Sequence, residues 1–128
     1  MARILVIDDQ DIVRETICRI LRTRGHDVAE AADGRKGLAL FGKNPADVVI
    51  TDIIMPEMEG IQAIREFRKI APQVKIIAIS GGGRAGSTDY LTLAQQFGAD
   101  ATLSKPFRNQ ELFETVDRLC GTPAPRSE

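Results

Sequence analysis

The sequence is short of the residues that build a stapled or metal-ligated scaffold. Its 128 residues include two cysteines and one histidine. Cys18 and Cys120 have no metal-ligand spacing and stand in apolar, helix-like surroundings, so both read as buried reduced thiols. His26, between Gly25 and Asp27, reads as a turn residue before a strand. Net charge is almost absent: seventeen Lys and Arg against eighteen Asp and Glu leave −1, which supplies no basic face for nucleic acid. Long apolar runs are missing too. None approaches the roughly 20 residues of a membrane helix, so no membrane association is expected. The first apolar run, Ile4-Leu5-Val6-Ile7, meets Asp8-Asp9 too soon for a secretory signal, and the sequence reads as mature and cytoplasmic. What is present is ordinary for a globular protein, 43% hydrophobic and 27% charged, which excludes bulk disorder, collagen-like repeats and disulfide scaffolds. The length predicts one domain, large enough to hold a core without cross-links.

Short β-branched runs alternate with helical patterns. Ile4–Ile7, Val48–Ile50 and Val74–Ile79 are nearly all apolar, as strands buried on both faces require. Asp27–Ala31 and Ala101–Leu103 are weaker runs suited to sheet edges. Between them, Val13, Ile17, Ile20 and Leu21 share one helix face, and Gly25 stops that helix. Leu38, Ala39 and Phe41 mark a second helix, Ile61, Ile64 and Phe67 a third closed by Pro72, Leu91, Ala94 and Phe97 a fourth capped by Gly98, and Leu112, Val116 and Leu119 a fifth. Residues 1–121 form the predicted domain; 122–128, rich in proline, read as a flexible tail or linker. Five β-α units predict an α/β fold with a parallel sheet covered on both faces. Right-handed crossovers leave few topologies, and the strand order 2-1-3-4-5 is one that such open sheets adopt, with ligands bound beyond the carboxyl ends of strands 1 and 3.

That crevice would receive Asp8 and Asp9 from strand 1 and Asp52 from strand 3. Clustered carboxylates repel, and a hard divalent cation relieves the repulsion. Mg2+ with oxygen ligands and a phosphate is the natural occupant. Ser80 at the end of strand 4 offers a hydroxyl and Lys105 at the end of strand 5 a point cation, both suited to a phosphoryl group. Asp52 is the candidate nucleophile for an aspartyl phosphate, with Asp8, Asp9 and the Ile54 carbonyl as further metal ligands. The Lys105-Pro106 bond is a candidate cis peptide. Each residue alone has a plainer reading: Asp8 and Asp9 as a helix cap, Lys105 as a surface lysine, Ser80 as a turn residue. The letters Gly81-Gly82-Gly83-Arg84-Ala85-Gly86 match a dinucleotide loop, but they follow the fourth strand, and no acid ends the next one. They read as a flexible loop.

Taken together, Asp8-Asp9, Asp52-Ile53-Ile54-Met55-Pro56 with Gly60, Ser80, Gly98-Ala99-Asp100-Ala101 and Lys105-Pro106-Phe107 recur in order, and the chain resembles a response-regulator receiver domain of two-component signalling from residue 3 to about 120. The resemblance implies a flavodoxin-like doubly wound fold with five strands and five helices. It implies phosphorylation of Asp52 by a phosphohistidine on a sensor kinase or histidine phosphotransfer protein, with Mg2+ (or Mn2+) as cofactor. It also implies self-catalysed hydrolysis and a switch through the face of helix 4, strand 5 and helix 5, a face that also offers a route to a homodimer. Partners would dock near Ile12, Val13 and Thr16. With no output domain in the sequence, the protein would act on an unknown downstream target or relay its phosphoryl group. Three features depart from the family pattern. Thr102 stands where an aromatic switch residue is frequent, the Gly81–Ser87 segment is a few residues longer than usual, and Ile54 and Gly82 occupy the positions that tune water access, which predicts a long phosphoryl lifetime. The alternatives are a receiver-like interaction module independent of phosphorylation, and a small aspartyl-nucleophile phosphatase, for which Ile54 lacks the required second acid.

Overall fold

The computed structural model describes residues 2–53, 60–81, 92 and 94–120. Ile54, Met55, Pro56 and Met58, the segment from Gly82 to Leu91, Leu93 and the tail 122–128 lie outside the described residues, so the expectations placed on them rest on sequence. The element order is β1 (Arg3–Ile7), α1 (Asp11–Arg22), β2 (Asp27–Ala31), α2 (Gly34–Lys43), β3 (Val48–Asp52), α3 (Gly60–Ile70), β4 (Lys75–Gly81), β5 (Ala101–Lys105) and α5 (Asn109–Leu119). Residues 92 and 94–96 are helical and form the described part of α4, between β4 and β5. The strands pair in parallel in the order β2-β1-β3-β4-β5. This is the five-stranded flavodoxin-like fold, and the two weaker runs do lie at its edges.

The strands form where β-branched residues are shielded on both faces. β3 is buried throughout, and Ile76, Ile77 and Ala78 of β4 are wholly enclosed. Alternation along each strand divides the core. Ile4, Val6, Val48, Ile50, Ile77 and Ile79 pack with Ile17, Cys18 and Leu21 of α1 and with Leu112 and Val116 of α5. Leu5, Ile7, Val49, Ile76 and Ala78 pack on the other side with Phe41 of α2, Ala63, Ile64 and Phe67 of α3 and Ala94 of α4. Phe41 and Phe67 meet edge to face, 5.3 Å between centroids. Burying a side chain of this size contributes roughly 1.5–3 kcal/mol.

The helices carry their own boundary chemistry. Asp33 caps α2, its carboxylate accepting the Lys36 N–H at 2.8 Å. In α5 the Glu111 carboxylate accepts the Arg108 N–H at 2.9 Å, as in a capping box. Acid opens α1 at Asp11 and base closes it at Arg19 and Arg22, favourable against the helix dipole. Gly25 and Gly98 follow α1 and α4 with φ of +85° and +121°, a conformation that glycine adopts without penalty.

Four sequence expectations need correction. Ala39 is exposed, and Gly34, Gly37 and Phe41 form the inward stripe of α2. A Cβ on Gly37 would stand 2.5 Å from Ile7 Cδ1, so the glycine is what lets α2 lie against β1. Apolar periodicity overlooks such a residue because it has no side chain to score. Phe97 is 41% exposed; it sits in the turn after α4, where the Arg65 guanidinium covers its ring. Cys120 is only half-buried, because it caps α5 at the edge of the core. β4 begins at Lys75, one residue after the buried Val74, since Val74 turns its N–H back to the Ala71 carbonyl.

Candidate functional site

Strand register assembles the site. Ile7 lies opposite Thr51, Asp52 opposite Ile79, and Ser80 and Gly81 opposite Ser104 and Lys105. Parallel strands therefore deliver Asp8, Asp52, Ser80 and Lys105 to the same, carboxyl edge of the sheet. Asp8 is 1% exposed and Asp52 6%, while Asp9 is exposed. One carboxylate oxygen from each of Asp8, Asp9 and Asp52 lies within 4.8 Å of the others. Lys105 Nζ reaches Asp8 Oδ2 at 3.1 Å and Asp52 Oδ2 at 3.2 Å. Burial by itself would lower the Lys105 pKa, but the charges and hydrogen bonds of Asp52 and Asp8 outweigh it and the net direction is upward. The ammonium is held charged. The Lys105-Pro106 peptide is cis.

Among the described residues, three carboxylates thus cluster where one ammonium pairs with two of them, Asp8 and Asp52. The excess of negative charge on hard oxygen donors fits a divalent cation such as Mg2+, which takes one or two carboxylates and keeps waters. The Ile54 carbonyl lies outside the described residues. Ser80 is fully enclosed, and its Oγ has no hydrogen-bond partner among the described residues. A buried hydroxyl left unpaired costs about 1–3 kcal/mol, so it marks a place where a ligand oxygen would be welcome.

Thr102 is half-buried on β5, while Ile12 (81% exposed) and Thr16 lie open on α1. Val13 on the same helix leans instead on the core with Ile20. Thr16 Oγ1 donates to the Ile12 carbonyl at 2.7 Å, which leaves its methyl and the Ile12 side chain as the apolar part of that surface. His26 is remote from the pocket; its Nδ1 accepts the Ala2 N–H at 3.0 Å.

Two arginines escaped the sequence reading. Arg14 of α1 donates through Nη1 to the Asp8 carbonyl at 2.8 Å and pairs with Glu30 and Asp11 at 3.2 and 2.8 Å. Arg68 of α3 donates to the carbonyls of Gly98, Pro72 and Val74 and pairs with Asp100. Three of the acceptors of Arg68 and the Asp8 acceptor of Arg14 are backbone carbonyls, which every residue carries, so no residue type announces those contacts. The sole signal for Arg14 was position: a helix side chain leans toward the helix N-terminus, here toward Asp8.

The fold recurs among known proteins. The family model described as response regulator receiver domain matches residues 4–117. The chemotaxis protein CheY of Thermotoga maritima is 35% identical over 118 residues, covering 91% of this chain and 96% of its own length. The sensor kinase CckA of Brucella abortus is 36% identical over 120 residues, covering 92% of this chain, which spans only 12% of that protein. The response regulator MprA of Mycolicibacterium vanbaalenii is 32% identical, and the chain spans about half of it (52%). Among solved structures, a response regulator receiver domain protein from Clostridium thermocellum superposes with a TM-score of 0.87 at 35% identity, covering 94% of this chain and 95% of that one. Matched along most of its length in both sequence and shape, the chain belongs to the family of response-regulator receiver domains.

Proposed function

We propose that Asp52 accepts a phosphoryl group from a phosphohistidine on a sensor kinase or histidine phosphotransfer protein. The observation that carries this reading is the meeting of Asp8, Asp9 and Asp52 beside Lys105 at one sheet edge. In the transfer, an Asp52 oxygen forms the new O–P bond while the donor N–P bond breaks, its electron pair returning to the imidazole. Asp8, Asp9 and Asp52, with the Ile54 carbonyl, would hold Mg2+, or Mn2+ in its place. The cation would supply charge neutralisation for the phosphoryl oxygens. Lys105 then exchanges part of its pairing with Asp52 for a phosphoryl oxygen, and the Ser80 hydroxyl donates to another. Positioning and electrostatics do the work; no small-molecule turnover is involved.

The output runs through the face of α4, β5 and α5, with Thr102 in place of a larger switch side chain, so Ser80 and Lys105 carry the signal. That face also suits a second copy of the chain. The kinase or phosphotransfer partner docks at α1 beside Ile12, Val13 and Thr16. The protein works in the cytoplasm in this reading; separately, no described helix is long and apolar enough to cross a membrane. The test is labelling with acetyl phosphate or phosphoramidate and Mg2+. The parent is expected to take up one acid-labile, hydroxylamine-sensitive phosphoryl group, and Asp52→Asn none. Equal labelling of the variant would assign the nucleophile elsewhere.

A further inference from the structure

Asp8 is held from several directions. Its N–H donates to the Ala31 carbonyl at 3.2 Å. Its Oδ1 accepts the Gln10 N–H at 2.9 Å, and its Oδ2 meets Lys105. Its main-chain carbonyl accepts from Arg14 Nη1 at 2.8 Å. This last contact differs in kind, because the carbonyl belongs to the planar peptide unit that leads to Asp9. Holding that oxygen fixes the plane, and with it the point from which the exposed Asp9 side chain departs. The guanidinium is itself immobilised: its side chain is 12% exposed, with Glu30 of β2 on Nε and Asp11 on Nη2. A planar fork with several donors is suited to serving separated acceptors at once, which an ammonium is not.

We propose that Arg14 is a positioning residue for the acidic pocket, its guanidinium locking the Asp8–Asp9 peptide and thereby setting the pocket's affinity for a divalent cation. The inference rests on the proposed function, in that the pocket must bind the cation. Arg14 acts through geometry and not through charge. Two carboxylates already face its single positive charge, and any residual charge would repel a cation. The two roles therefore differ in sign. Deleting a nearby positive charge tightens cation binding, whereas releasing the peptide weakens it.

The test is a calorimetric Mg2+ titration of the full chain without any phosphoryl donor. Arg14→Met, which keeps the apolar stem, is expected to bind Mg2+ about tenfold more weakly, as for loss of an outer-shell partner. Arg14→Lys keeps the charge and guards against a variant that fails to fold; it is expected to lose most of the same affinity, since one ammonium cannot reach all three acceptors. The second readout is labelling with acetyl phosphate across Mg2+ concentrations: half-saturation moves upward in both variants while the rate at saturating Mg2+ is retained. Variants that bind as tightly as the parent, or more tightly, overturn the role of Arg14. A parent that binds no Mg2+ overturns the proposed function itself, and this inference with it.

Discussion

The two ends of the sheet solve opposite problems. At the amino end, charges and backbone groups find partners. Arg3 donates its N–H to Asp47 and its guanidinium to Asn44. Arg68 gathers the end of α3, the approach to β4 and the turn after α4, and its partner Asp100 also accepts the Ile76 N–H at 2.8 Å. At the carboxyl end, three carboxylates crowd together with one ammonium on two of them, and the buried Ser80 hydroxyl has no partner among the described residues. One end is arranged for stability and the other for a ligand. Perturbed polar clusters in clefts are where function tends to lie, and the contrast within one small sheet makes the assignment sharper than the acidic cluster would alone.

Breaking the satisfied end should have the largest effect. Arg68→Met takes the counter-ion from Asp100 and the guanidinium donor from the Gly98 and Val74 carbonyls; the Arg68 and Asp100 side chains are 23% and 30% exposed. A loss of about 2–3 kcal/mol is expected, read as a lower urea midpoint with unchanged slope. The frustrated end should respond with the opposite sign. Asp52→Asn removes one of the crowded carboxylates while Lys105 keeps Asp8, and a gain of about 1 kcal/mol in the absence of Mg2+ is expected. A loss of stability there would show that the pocket is not strained, and the contrast between the ends would fail. The smallest effect belongs to His26. Burial, first among its causes, holds the imidazole pKa below the ordinary 6.5. The unfolded chain therefore binds the proton first. The stability contribution is complete above 6.5 and is lost as pH falls from that value toward the lower folded pKa. His26→Asn, which keeps a non-titrating acceptor for the Ala2 N–H, should flatten that part of the pH profile; identical profiles for parent and variant would remove His26 from the account.

Much of this was legible in the residues because the strands are short, β-branched and shielded on both faces. Their ends then place Asp8, Asp9, Asp52, Ser80 and Lys105 by topology alone. What resisted reading has a common cause. Gly37 matters for the side chain it lacks, so a scale of apolarity passes over it and scores Ala39. Arg14 and Arg68 act on backbone carbonyls of residues such as Asp8, Gly98 and Val74, whose side chains carry no sign of the contact. The thiols divide by depth: Cys18 is fully enclosed, and burial pushes its pKa to about 12, while Cys120 at the end of α5 escapes full cover.

The alternation along β1 has a consequence for how such a molecule drifts. Ile4 and Val6 belong to one half of the interior, Leu5 and Ile7 to the other, with the strand as their common wall. Leu112 and Phe67 belong to different halves of that interior, so the costs of substitutions there are expected to sum. A lineage can therefore remodel the flank of α1 and α5 while the flank of α2 and α3 stands still, whereas a change in the wall itself is felt by both.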